Sequence, residues 1–163
     1  MTARGVLFAL NDEQADSLSS AEGDANVIAI IERIEEAWNT DWLAETDKAW
    51  DAMHRALTDG KLEYSNGDYP LKLTILAGFQ LVETDNYVAS ITTEDEVGDV
   101  ANSLSKIDKD KLRVGYNQID PADYGSPLSD EDFEYTWSYF QDVAALYQRA
   151  AKEKRAVLFT VSQ

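Results

Sequence analysis

The only histidine of the chain, His54, stands three residues after Asp51 and seven after Asp47. On a helix these spacings put all three side chains on one side. Carboxylates there could orient an imidazole for proton transfer or supply part of a cation site. Asp47, Asp51 and His54 are therefore the first candidates for chemistry, although no nucleophile accompanies them. The plainer arrangement is structural: Asp47 caps the helix, Asp51 pairs with Arg55 four residues on, and His54 sits at the core margin with one nitrogen bonded.

Other chemical signals are sparse. The chain has no glycine-rich phosphate loop, no paired-histidine metal motif and no serine nucleophile elbow. It has no cysteine, which excludes disulfides, thiolate metal sites and cysteine nucleophiles. With thirty-one acids, some carboxylates fall near one another by chance, so carboxylate pairs carry little information. The residues call for no cofactor and no metal, and they lean away from an enzyme. Several aromatics fall on apolar stripes and read as core. Trp42, in a connection between helices, Tyr124, in a loop, and Tyr135, off its helix's stripe, are the candidates for a surface.

These residues must be placed by the elements around them. Val6 to Leu10 is a short apolar run and predicts a strand. Asn11 and Gln14 have the form of a capping box opening a short helix, with Leu18 inward. Val27, Ile30, Ile31, Ile34 and Trp38 form one helical stripe. Trp50, Met53, His54 and Leu57 form the next, opened by Thr46 or Asp47 and closed by Gly60. Leu71 to Gly78 and Tyr87 to Thr92 predict strands. Thr93 and Glu96 predict a capped helix with Val97, Val100, Ala101 and Leu104 inward, and a short helix follows near Asp108 to Tyr116. Residues 117–128 read as a loop. Ser129 with Asp132 caps a last helix, whose stripe is Phe133, Trp137, Phe140, Ala144, Tyr147 and Ala151. Ala156 to Val161 closes as a strand. The expected fold is a single α+β domain spanning residues 1–163, a small mixed sheet of about four strands with helices packed on it.

Fourteen bases against thirty-one acids give a net charge of −17. No Lys or Arg stands between Leu73 and Ser105, or between Val114 and Gln148. Such a field repels nucleic acid and anionic membranes and attracts basic proteins and cations. The opening MTARGVLFALNDEQ lacks the long apolar core of a signal peptide. No stretch approaches the roughly 18 apolar residues of a membrane span. The expectation is a soluble cytoplasmic protein.

Four segments, taken in order, resemble a known bacterial family. ETDKAWDAMHRAL (45–57), PLKLTILAGFQL (70–81), YVASITTEDEVGDVANSLSKIDKDKLRVGY (87–116) and FEYTWSYFQDVAALYQRAAKEKRAVLFTV (133–161) are similar to successive elements of the YfbM-like family. Asp47, Lys48, Trp50 and His54 match its Asp-Lys-x-Trp-x-x-x-His helix. The resemblance implies a small cytoplasmic α+β protein and carries over no activity or catalytic residue. The strongly acidic surface is this chain's departure from it.

The leading expectation is a non-enzymatic acidic interaction protein, an inhibitor or immunity-like partner of a basic protein. The alternative is a small-molecule binder or hydrolase using the Asp47, Asp51 and His54 helix. A flat acidic face dotted with aromatics favours the first, and a deep pocket with convergent polar groups the second.

Overall fold

The computed structural model describes residues 3–82, 84 and 87–162. Its centre is the pair β1 (Gly5–Ala9) and β5 (Val157–Ser162), antiparallel, with Leu7 opposite Phe159. β4 (Tyr87–Thr92) pairs with the other side of β5, and the two-residue β3 (Phe79–Gln80) with β4. β2 (Leu43–Asp47) forms the opposite edge, giving the order β2-β1-β5-β4-β3. Every pairing is antiparallel, so the sheet is not mixed, and it has five strands rather than four.

Both faces of this sheet are covered, which is why its central strands read as continuous apolar runs rather than alternating ones. Alternate residues serve opposite layers. Phe8, Leu10, Ala89 and Leu158 pack under α1 (Asp12–Ser20) and α2 (Asp24–Ala37), against Leu18, Val27, Ile31 and Ile34. Leu7, Ala9, Val88, Phe159 and Val161 face the larger core. That core is built with α3 (Trp50–Leu57), α4 (Glu94–Leu104), α5 (Lys109–Tyr116), the single turn α6 (Pro121–Tyr124) and α7 (Asp130–Lys152).

The predicted caps form. Asn11 and Gln14 close a capping box on α1, Thr93 and Glu96 on α4, and Ser129 accepts from the Asp132 N–H on α7. Trp38 leaves its stripe: it ends α2 in a left-handed conformation and stays partly exposed, its ring edge-on to Phe8.

Three sequence expectations change. Residues 43–47 form an edge strand, with Ala44 and Thr46 inward and Glu45 outward. Asp47 then takes a left-handed turn (φ 47°), a conformation Asp tolerates better than most residues. It therefore cannot cap α3, whose cap position falls to Ala49 without a side-chain bond. Leu71 to Gly78 does not form a strand: a short 3-10 turn covers Leu71–Thr74. Leu73 to Leu76 are all buried, and their carbonyls are met by side chains instead of a ladder. Thr92 Oγ1 donates to the Leu73 carbonyl (3.1 Å), Tyr147 Oη to Thr74 (2.7 Å) and Ser90 Oγ to Ile75 (3.1 Å). A segment whose backbone bonds to hydroxyls far along the chain carries no strand pairing, however strand-like its composition. Finally, the 117–128 loop contains α6, opened by Asp120 and Pro121.

All eight residues of α3 are buried. Trp50 packs on Phe159, and its indole N–H donates to the Ala3 carbonyl at 3.0 Å. On the other side α5 comes so close that a Cβ on Gly115 would stand 1.9 Å from the Ala56 carbonyl oxygen. Trp50→Ala should cost about 3–5 kcal/mol, as loss of a large buried aromatic does. Gly115→Ala must push α5 off α3 and should cost about 1–3 kcal/mol or more. Urea denaturation measures both; a Gly115→Ala protein as stable as the parent would disprove the close approach.

Candidate functional site

Because α3 is buried all round, its polar side chains must find partners within the protein. Asp51 Oδ1 accepts from Arg55 Nε at 2.6 Å, one helical turn on. The Arg55 guanidinium also donates to Asp123 Oδ2 at 2.7 Å and lies over the Tyr124 ring, 5.7 Å from its centre. Burial raises the Asp51 carboxyl above its ordinary value, with Arg55 pulling the other way. For Arg55 burial favours loss of the proton, but the two aspartates outweigh it and its pKa is raised.

Tyr124 and Tyr116 both donate to Asp132 Oδ2, at 2.9 and 2.8 Å. Tyr135 donates to Asp47 Oδ2 at 2.5 Å and accepts from the Lys48 backbone N–H. Asp47 also pairs with Arg4 at 3.0 Å. Burial first, then the carboxylate partner, pushes both Tyr116 and Tyr135 up to about 12, so these phenols stay protonated donors. Lys48, Asp51, Tyr124, Ser126, Asp132 and Tyr135 line a cleft of about 150 Å³ between the start of α3 and the start of α7.

The structure thus brings Asp51, Tyr124 and Tyr135 to one cleft, with Asp47 behind Tyr135. His54 is absent from its lining. It is 1% exposed, and its Nε2 lies 2.8 Å from Asn66 Oδ1, on the loop after α3. Asn66 in turn donates to Thr58 Oγ1, Asp59 Oδ1 and the Lys61 carbonyl, which fixes its oxygen toward His54. His54 is therefore a positioning residue for the 58–70 loop. The hydrogen bonds of Asp47, Asp51 and His54 run to three different places: Tyr135 with Arg4, Arg55, and Asn66. Tyr124 is 9% exposed and belongs to the core rather than the surface, because its hydroxyl reaches inward to Asp132. Trp42 stands apart from the cleft, half-buried under the Arg155 guanidinium at 3.6 Å. Among the described residues, no three His, Cys, Asp or Glu side chains are grouped so as to hold a metal ion.

Sequence reasoning missed Asn66, Asp123 and the tyrosine-accepting role of Asp132. Asn66 sits in a turn-forming run, YSNGD, where its amide has no periodic signature. Asp132 was legible only as a cap partner, which it also is.

Residues 1–160 match the family described as a domain of unknown function, DUF1877. The chain belongs to the DUF1877 family. The crystal structure of YfbM from Escherichia coli, a protein of unknown function, superposes with a TM-score of 0.68 at 19% identity, covering 97% of this chain and 99% of that one. At that identity the likeness shows the shared fold. No curated protein matches the chain. In this chain the fold is a single α+β domain in which α3, which carries Trp50 and His54 of the YfbM-like motif, is buried along its whole length, and no described helix is long and apolar enough to cross a membrane.

His54 supplies a pH test. Burial holds its imidazole below the ordinary 6.5, against the pull of Asn66, the Glu63 carbonyl, Asp51 and Asp59. The unfolded chain takes up this proton first as pH falls. The group's contribution to stability is therefore complete above pH 6.5 and is lost as pH drops toward the folded value. His54→Gln should flatten the fall in stability between roughly pH 7 and pH 5 relative to the parent. Parallel stability–pH curves for the two proteins would contradict it.

Proposed function

We propose that the protein is a non-enzymatic acidic interaction protein, inhibitor or immunity-like, whose partner is a basic protein. What carries the reading is how the polar groups are spent. The groups that could do chemistry bond one another: Asp51 with Arg55, His54 with Asn66, Tyr116 and Tyr124 with Asp132, Tyr135 with Asp47. The chain as a whole, by contrast, carries a formal excess of seventeen acids. A field of that size steers a cationic partner over roughly a Debye length, about 8 Å at physiological salt.

Specificity then needs apolar or aromatic anchors within the acidic surface. Trp42, Tyr124 and Tyr135 are poorly suited, being buried or half-buried. Tyr64 and Tyr69, each 53% exposed, and Val114, 63% exposed, are better placed.

The second reading, a small-molecule binder, is favoured by the cleft over Asp51. Against it, the cleft is small, its walls bond one another, and His54 does not line it. Nucleic acid and anionic membranes remain poor partners for this charge.

Immobilised protein should retain a basic protein from a lysate of its own source. Retention should weaken with salt yet persist in part near roughly 0.5 M, whereas purely electrostatic sticking vanishes there. Mass spectrometry of the eluates decides. Co-purification of a metabolite, with no basic protein at either salt, would favour the small-molecule reading.

A further inference from the structure

Two half-open clefts, about 400 and 470 Å³, lie along the 58–71 loop and share Asp59 and Gln118 in their walls. Side by side they make a two-part groove, with that loop on one side and α5 with α6 on the other, parted where Gly60 meets Gln118. The first cleft sets Asp59, Glu63, Asp120 and Asp123 against a single base, Lys61. The second adds Asp68 and an apolar strip that includes Leu71 and Val114.

The walls are held by the fold. A Cβ on Gly60, where φ is +91°, would stand 2.7 Å from the Gln118 carbonyl oxygen, so the two sides touch through a glycine. Gly115 is pressed against α3 in the same way, and Asn66 with His54 pins the loop. A groove that needs no ordering on binding loses less entropy than a mobile one.

Resting on the interaction reading above, we infer that this groove receives an extended peptide segment of the partner, carrying Lys or Arg interleaved with apolar residues. Charge complementarity selects that occupant. A second copy of this chain would bring another −17 and is repelled. A purely apolar ligand would desolvate the carboxylates without pairing them. A basic segment pairs with Glu63, Asp68 and Asp120 along the rim, while its apolar side chains cover Leu71 and Val114. Asp123 contributes less, being already bonded to Arg55.

The test uses the full chain and a fluorescein-labelled peptide of alternating Lys and Leu, with Lys/Ser and Glu/Leu peptides as controls, read by anisotropy. Glu63→Lys combined with Asp68→Lys reverses two exposed groove carboxylates whose side chains bond to nothing among the described residues. Glu32→Lys combined with Glu36→Lys makes the same charge change on exposed positions of α2. Circular dichroism checks that both proteins fold. At about 0.15 M salt the groove variant should bind the Lys/Leu peptide about tenfold more weakly, and the α2 variant nearly as well as the parent. Val114→Ser should weaken the Lys/Leu peptide but not the Lys/Ser one. Equal weakening by both double variants would overturn the groove while leaving a basic partner in place. No binding of the Lys/Leu peptide to the parent would also overturn the groove, and the lysate experiment then decides the wider reading separately.

Discussion

A buried arginine organises this protein. Arg55 is enclosed on a helix with no solvent-facing side, and a desolvated guanidinium is tolerable only where its donors are met. One counter-charge comes from its own helix, Asp51. The other comes from Asp123, sixty-eight residues on, in the single turn α6. The guanidinium also reaches the carbonyl of Gly60, at 3.4 Å. One cation thereby fixes three pieces of chain with little regular structure of their own: the end of α3, the turn after it and α6. Removing either carboxylate would leave the charge partly uncompensated, more severely for the buried Asp51 than for the exposed Asp123.

The same logic repeats at the preceding residue of α3. His54 and Asn66 hold the 58–70 loop, and Asn66 uses both amide hydrogens and its oxygen to do so. Residues 58–70 contain no helix or strand, so side-chain hydrogen bonds replace the backbone ladder that would otherwise order them. The result is a loop pinned from inside by Asn66, while Tyr64 and Tyr69, with Glu63 and Asp68, remain outside. Tyr69 is also tied to α4 through Asp99 at 2.6 Å, a bond that pushes its phenol up to about 12. The motif helix thus acts on the surface indirectly, by shaping what the neighbouring loop presents.

Periodicity and capping made much of the fold legible. Four of the longer helices show their stripes or caps plainly, because each covers one face of a layer and leaves the other wet. The sheet was harder. Leu43 to Asp47 is an edge strand whose inward residues, Ala44 and Thr46, are too small and too weakly apolar for its alternation to stand out in the sequence. Leu71 to Gly78 is apolar because it is buried, and burial alone does not distinguish a strand from an irregular segment bonded to Thr92, Tyr147 and Ser90. The site was legible only locally. Asp51 with Arg55 follows from i,i+4 spacing, but nothing in the sequence links Arg55 to Asp123 or Tyr135 to Asp47. Those contacts join residues brought together by the packing of α3, α6 and α7, and are long-range in the chain.

Charge and fold pull in opposite directions here. A net charge of −17 on a chain this short favours expansion through self-repulsion. The bases are too few to neutralise the surface, and several are used as fixtures: Arg55 inside, Arg155 over Trp42, Arg113 over Tyr116 and Phe133. Each of these guanidiniums sits on an aromatic face, where cation–π attraction adds to packing. The bases thus hold the core and its margins together, while carboxylates such as Glu63 and Asp68 remain exposed. A cationic partner that covered them would bind the folded chain preferentially, because only folding gathers those carboxylates beside an apolar strip. By linkage, such binding would stabilise the fold as well as relieve its repulsion.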